Sequence, residues 1–73
     1  MTYELWDSDT GNCSGVYSTL EAALEVVGSA VRRNGESTLD GLGLLAVTPD
    51  GDRHLIAEER DLLPLIGARA AAG

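Results

Sequence analysis

The sequence predicts an α+β domain of order ββαββα, in which two hairpins form one antiparallel sheet and two helices cover one of its faces. Three observations predict it. Leu20, Leu24, Val27 and Val31 recur at helical spacing in a narrow stripe within the stretch 17–35. Short runs of β-formers come in pairs, each pair parted by a cluster of turn residues. A shift of 40 residues lays one hairpin-then-helix on the other, with Leu5 on Leu45, Asp7 on Val47, Gly11 on Gly51, Val16 on Ile56 and Glu21 on Asp61.

The first strand is expected over 2–7, where Tyr3 and Leu5 alternate with Glu4 and Trp6. Ser8 to Asn12 are turn formers, and the chain returns as a second strand over 13–17. Ser18 and Glu21 read as a capping box opening a helix over 19–34, in which each side chain accepts from the other's free backbone N–H. Ala23 and Ala30 flank its apolar stripe. Glu21 and Glu25 near its start and Arg32 and Arg33 near its end complement the helix dipole, and Gly35 ends it as a left-handed C-cap. Gly28 costs roughly 1 kcal/mol inside a helix, and marks either a close backbone approach or neutral drift.

Glu36 to Asp40 reads as a polar loop, and the apolar run that follows as an inner strand over 42–48. Thr48-Pro49-Asp50-Gly51 is a turn, since Pro49 presets φ at its second position and Gly51 relaxes its fourth. The return strand covers 53–57. Leu62, Leu63, Ile66 and Ala70 then predict a helix over 62–70, with Pro64 tolerated in the first turn and Asp61 as the N-cap. A start nearer Glu58 is the competing placement.

A chain of 73 residues is read as a single domain, and one this short buries only about 60% of its unfolded surface. One Cys excludes an internal disulfide, and one His with one Cys is too few for a structural zinc site. Self-association, as a homodimer, is the expected remaining source of stability. Twelve acidic residues against five Arg and no Lys give a net charge of −7, which repels nucleic acid and anionic membranes and suits either plain solubility or a basic protein partner. Met1 to Asp9 lacks the basic-then-apolar order of a signal peptide, and no apolar run approaches the ~20 residues of a membrane span. A cytoplasmic location with Cys13 reduced is therefore expected.

No catalytic, phosphate-binding or metal motif is present. Asp7-x-Asp9 begins like a calcium loop, but Gly11, Asn12 and Ser18 stand where Asp or Asn, Gly and Glu are required. Gly41-x-Gly43 lacks the third Gly and following Lys or Ser of a phosphate loop. Cys13 has no basic neighbour in sequence to activate it as a nucleophile, and His54 reads as a half-exposed strand residue. The two could meet across the sheet, without a third orienting group. Asp7, Asp9, Asp50 and Asp52 fall in the two hairpin turns, which, if placed at one end of the sheet, would form an acidic rim. Trp6, Val16, Tyr17 and Leu45 are the candidates for the sheet face away from the helices, and that much apolar surface implies an interface.

Tyr3-Glu4-Leu5-Trp6-Asp7, the Gly11-Asn12 turn and Gly15-Val16-Tyr17-Ser18-Thr19 leading into Glu21-Ala22-Ala23-Leu24 resemble a class of very short bacterial proteins, a resemblance that implies no activity. The hairpin-to-helix segment is also similar to HicB-type antitoxins in entering its helix through Ser18, Glu21 and Ala22. It lacks their Pro-Gly-Cys type segment and their DNA-binding domain. The expected function is thus a non-catalytic, cofactor-free protein interaction module. An antitoxin-like inhibitor of a basic protein is the alternative, and a minor metal or thiol activity the third possibility.

Overall fold

Alternating side chains and turn residues fold each half into a hairpin, and the two hairpins join through their first strands. The computed structural model describes residues 1–72, and the side chains of 1–68. Strands β1 (Thr2–Asp7) and β2 (Asn12–Tyr17) precede helix α1 (Leu20–Asn34), and a 3-10 turn (Glu36–Leu39) leads into β3 (Leu42–Val47) and β4 (Arg53–Glu58). A second 3-10 turn (Glu59–Asp61) runs directly into helix α2 (Leu62–Ala72). All pairings are antiparallel and the strand order is β2-β1-β3-β4, so the architecture is α+β with the expected ββαββα order. The Cα envelope is a slab of 33 × 30 × 16 Å.

Leu5 and Leu44 pair at the centre of the sheet and are 3% and 0% exposed. With Ala23, Leu24, Val27, Leu39 and Leu62 they make the core, and Tyr3, Tyr17, Ile56 and Ile66 pack against it. In both hairpins the register shifts just beyond the central leucine, between Leu5 and Trp6 in one and Leu44 and Leu45 in the other. The first strands therefore correspond at an offset of one residue from the 40-residue shift. Pairing Leu5 with Leu45 would put the two on opposite sheet faces, because side chains alternate.

Four local expectations are corrected. The N-cap of α1 is Thr19, not Ser18: its backbone is extended (φ −134°, ψ 152°) and its Oγ1 accepts from the Ala22 N–H at 3.1 Å. Ala22, not Glu21, thus holds the third helical position, and no capping box forms. The stretch 36–40 is no open loop but a 3-10 turn that drives Leu39 into the core at 0% exposure. Gly35 does cap α1, donating its N–H to the Val31 carbonyl, but at φ 87° and ψ 175° rather than in the left-handed helical well. The last helix begins at Leu62, as expected, but Asp61 before it closes a 3-10 turn from Glu59 instead of capping a free helix end, and that turn takes the place of the competing start near Glu58. Ala70, expected on that helix's apolar side, lies outside the residues whose side chains are described.

Gly28 is buried where α1 meets α2, and a Cβ there would lie 3.2 Å from Ile66 Cγ2. The close approach allowed for in the sequence is thus between the helices. Among the described residues, no helix is long and apolar enough to cross a membrane.

Candidate interaction surface

The helices occupy one face of the sheet, and the alternation of each strand assigns every other residue to the opposite face. Glu4 pairs with Val16 and Leu45, Trp6 with Cys13 and Gly43, Thr2 with Val47, and Leu45 with Leu55. Directly paired residues share a face. Trp6, Val16 and Leu45 therefore stand together on the uncovered side, joined by Val47 and Leu55. Val16 and Leu55, on the two edge strands, are 59% and 55% exposed. Leu55 is not legible in the sequence because the register shift between Leu44 and Leu45 decides that it, and not Ile56, pairs with Leu45 and joins the surface.

Tyr17 does not belong there. It pairs with Tyr3 on the helix side and packs against the core, with its ring lying over Gly15 so closely that a Cβ on Gly15 would fall 2.5 Å from the Tyr17 hydroxyl. The parity of β2 decides this: Val16 faces out, so its neighbour faces in.

One polar group crosses the apolar face. Glu4 Oε1 accepts from the Trp6 indole N–H at 2.9 Å and from Arg53 Nε at 3.1 Å, so a side chain from β4 reaches over β3 to β1. The indole hydrogen bond first, and the guanidinium second, hold the Glu4 carboxyl below its usual range despite the opposing effect of desolvation. The side chain of Glu4 is only 13% exposed. This ion pair fixes the Trp6 ring, and Glu58, paired with Gly43, adds a carboxylate at the edge of the same face.

The hairpin turns do not meet. Because β1 and β3 are antiparallel, Asp7 pairs with Leu42 and Thr2 with Val47, which puts the turn holding Asp7 and Asp9 and the turn holding Asp50 and Asp52 at opposite ends of the sheet. No single acidic rim exists; there are two acidic poles with the apolar face between them. At the first pole the turn is tied down by Ser8 N–H donating to the Gly41 carbonyl (2.8 Å), and Asp7 Oδ1 accepts from the Asp9 N–H (2.9 Å). Glu59 sits at φ +50°, unusual for a residue with a side chain, and its carboxylate accepts from the Gly41 N–H at 3.2 Å. Gly41 itself has φ +78°, and a Cβ there would come 2.9 Å from Ser8 Oγ. A cleft of about 280 Å³ opens at this pole, lined by Trp6, Leu42 and Gly43 together with Asp7, Glu58 and Glu59. Arg60 lies beside it, engaged by Glu36 (3.0 Å) and Asp40 (3.4 Å).

Cys13 and His54 are not brought together. They lie on the outer strands β2 and β4, three strand spacings or about 14 Å apart, and their pairing with Trp6 and Ala46 puts them on opposite faces. The Cys13 thiol is exposed and directed to the Gly15 carbonyl at 3.4 Å. Among the described residues, no three or more His, Cys, Asp or Glu gather into a set that could hold a metal ion.

Neither a family model, nor a curated protein, nor a solved structure matches the chain.

Proposed function

We propose that the protein is a non-catalytic interaction module that docks a protein through the uncovered face of its sheet. The observation that carries this reading is the group Trp6, Val16, Leu45 and Leu55 on a face that neither helix covers, with the Glu4–Arg53 ion pair satisfied internally. An aromatic residue among aliphatic ones has the composition of an interface centre, and the carboxylates at the ends of the strands that of a polar rim. A second copy of the chain, giving the homodimer that a thin core favours, is one occupant. A basic protein neutralised by this acidic domain is the other, and the two acidic poles support it. A cytoplasmic setting, where the exposed thiol stays reduced, accompanies either occupant.

The test is acrylamide quenching of Trp6, the chain's only tryptophan, alongside sedimentation over a concentration series. Binding of either occupant is expected to shield Trp6, and Val16→Glu or Leu55→Glu to abolish the shielding without lowering the melting temperature. Association that leaves Trp6 as open to quencher as before would refute the reading.

A further inference from the structure

We infer that the occupant of the open sheet face is a basic amphipathic helix of another protein, with its apolar side on Val16, Trp6, Leu45 and Leu55 and its cationic ends on the two acidic poles. The inference rests on the docking reading above and names the class of partner.

Charge selects between the two occupants. Asp50 and Asp52 stand at one end of the strands, and Asp7, Asp9, Glu58 and Glu59 at the other. Among the described residues, the cations near these ends are already committed, Arg53 to Glu4 and Arg60 to Glu36 and Asp40. Arg32 and Arg33 lie in the last turn of α1, on the helix layer. An aligned stack of two copies, face to face, would set acid on acid whichever way one copy was turned, because both poles carry the same sign. Like charges brought together in this way oppose association, whereas a partner with basic ends meets attraction at both.

Size agrees. Six residues of strand span roughly 20 Å and four strands about 19 Å, so the face measures on the order of 400 Å². A helix of about 14 residues is as long as the strands, and its width of about 10 Å leaves the edge residues Val16 and Leu55 to grip its sides. Such a contact lies at the small end of specific interfaces, where binding is weak and reversible. The cleft beside Trp6, which the acidic residues Asp7, Glu58 and Glu59 help to line, has the volume to receive one Lys or Arg side chain from the helix end.

The experiment titrates the intact protein with a synthetic peptide of about 18 residues, with Leu at i, i+3, i+4 and i+7 and two Arg at each end, and follows Trp6 emission. Saturable binding in the micromolar range is expected, weakening as salt rises from about 50 to about 300 mM. Val16→Glu and Leu55→Glu should each weaken it about tenfold or more. The pairs Asp50→Asn/Asp52→Asn and Glu58→Gln/Glu59→Gln should each weaken it about threefold or more, while Glu21→Gln/Glu25→Gln, an equal charge change on the helix layer, leaves it within about twofold. Melting temperatures establish that each variant is folded. Equal weakening by the helix-layer pair, or equal binding of a scrambled peptide of the same composition, would overturn the proposal, since charge alone would then account for binding. If the peptide does not bind but sedimentation shows a dimer that Leu55→Glu dissociates, the helix partner is refuted and the docking face stands. If neither peptide nor second copy engages the face, both are refuted.

Discussion

Replacing Leu39 by Ala tests whether the 3-10 turn between α1 and β3 is part of the core. Leu39 is 0% exposed and belongs to the cluster of Leu5, Leu24, Val27, Leu44 and Leu62. Leu→Ala removes the equivalent of about three methylenes, or about 2.4 kcal/mol at ~0.8 kcal/mol each. The cavity left behind raises the expected loss to about 3 to 5 kcal/mol. A domain of this size has only about 4 to 11 kcal/mol in total, so the variant should lose a large part of its stability and melt at least about 12 °C lower. The same substitution at Leu55, which is 55% exposed, should stay within about 0.5 kcal/mol. Urea unfolding followed by far-ultraviolet circular dichroism measures both. A loss below about 1 kcal/mol for Leu39→Ala, or equal losses for the two variants, would refute the burial argument.

Three further outcomes follow from particular contacts. Thr19→Ala should cost about 1 kcal/mol while Ser18→Ala is near neutral, because only Thr19 accepts from the Ala22 N–H; thermal melts separate the two. Gly28→Ala should fail to deliver the roughly 1 kcal/mol of helix propensity it offers, since its Cβ meets Ile66 Cγ2 at 3.2 Å, and should recover that gain in an Ile66→Leu background, which a double-mutant cycle reads as positive coupling. Glu4 has a depressed pKa in the folded protein, so its contribution to stability is present above the unfolded carboxylate value of about 4.3 and is lost as pH falls through the lower folded value. Glu4→Gln should flatten the stability profile in that acid window, and an unchanged slope in denaturant titrations from about pH 5 downward would show that the Trp6 and Arg53 contacts contribute nothing.

Most of the architecture was legible in the sequence because period and turn chemistry act locally. The stripe of Leu20, Leu24, Val27 and Val31 and the Thr48–Gly51 turn, closed by the Gly51 N–H on the Thr48 carbonyl at 2.9 Å, are each set within a few residues. The outward placing of Trp6 and Val16 followed from alternation alone. What failed depends on distant partners. Whether two hairpin turns share an end is decided by how the hairpins join, and their antiparallel joining through β1 and β3 parted Asp7 and Asp9 from Asp50 and Asp52. The same join put Cys13 and His54 on opposite edges. Leu39 looked like loop because four polar neighbours surround it, and only its packing shows that it is core. Leu55 was placed by the register shift in the second hairpin, which no local pattern announces, whereas Tyr17 follows from its alternation with Val16.

The most direct test of the docking face is chemical-shift mapping of the isotopically labelled protein as the basic amphipathic peptide is added. The account predicts that the Trp6 indole N–H and the resonances of Val16, Leu45, Val47 and Leu55 move together while α1 stays still. Shifts concentrated on Glu21 to Arg33 of α1, with the Trp6 indole unmoved, would contradict it.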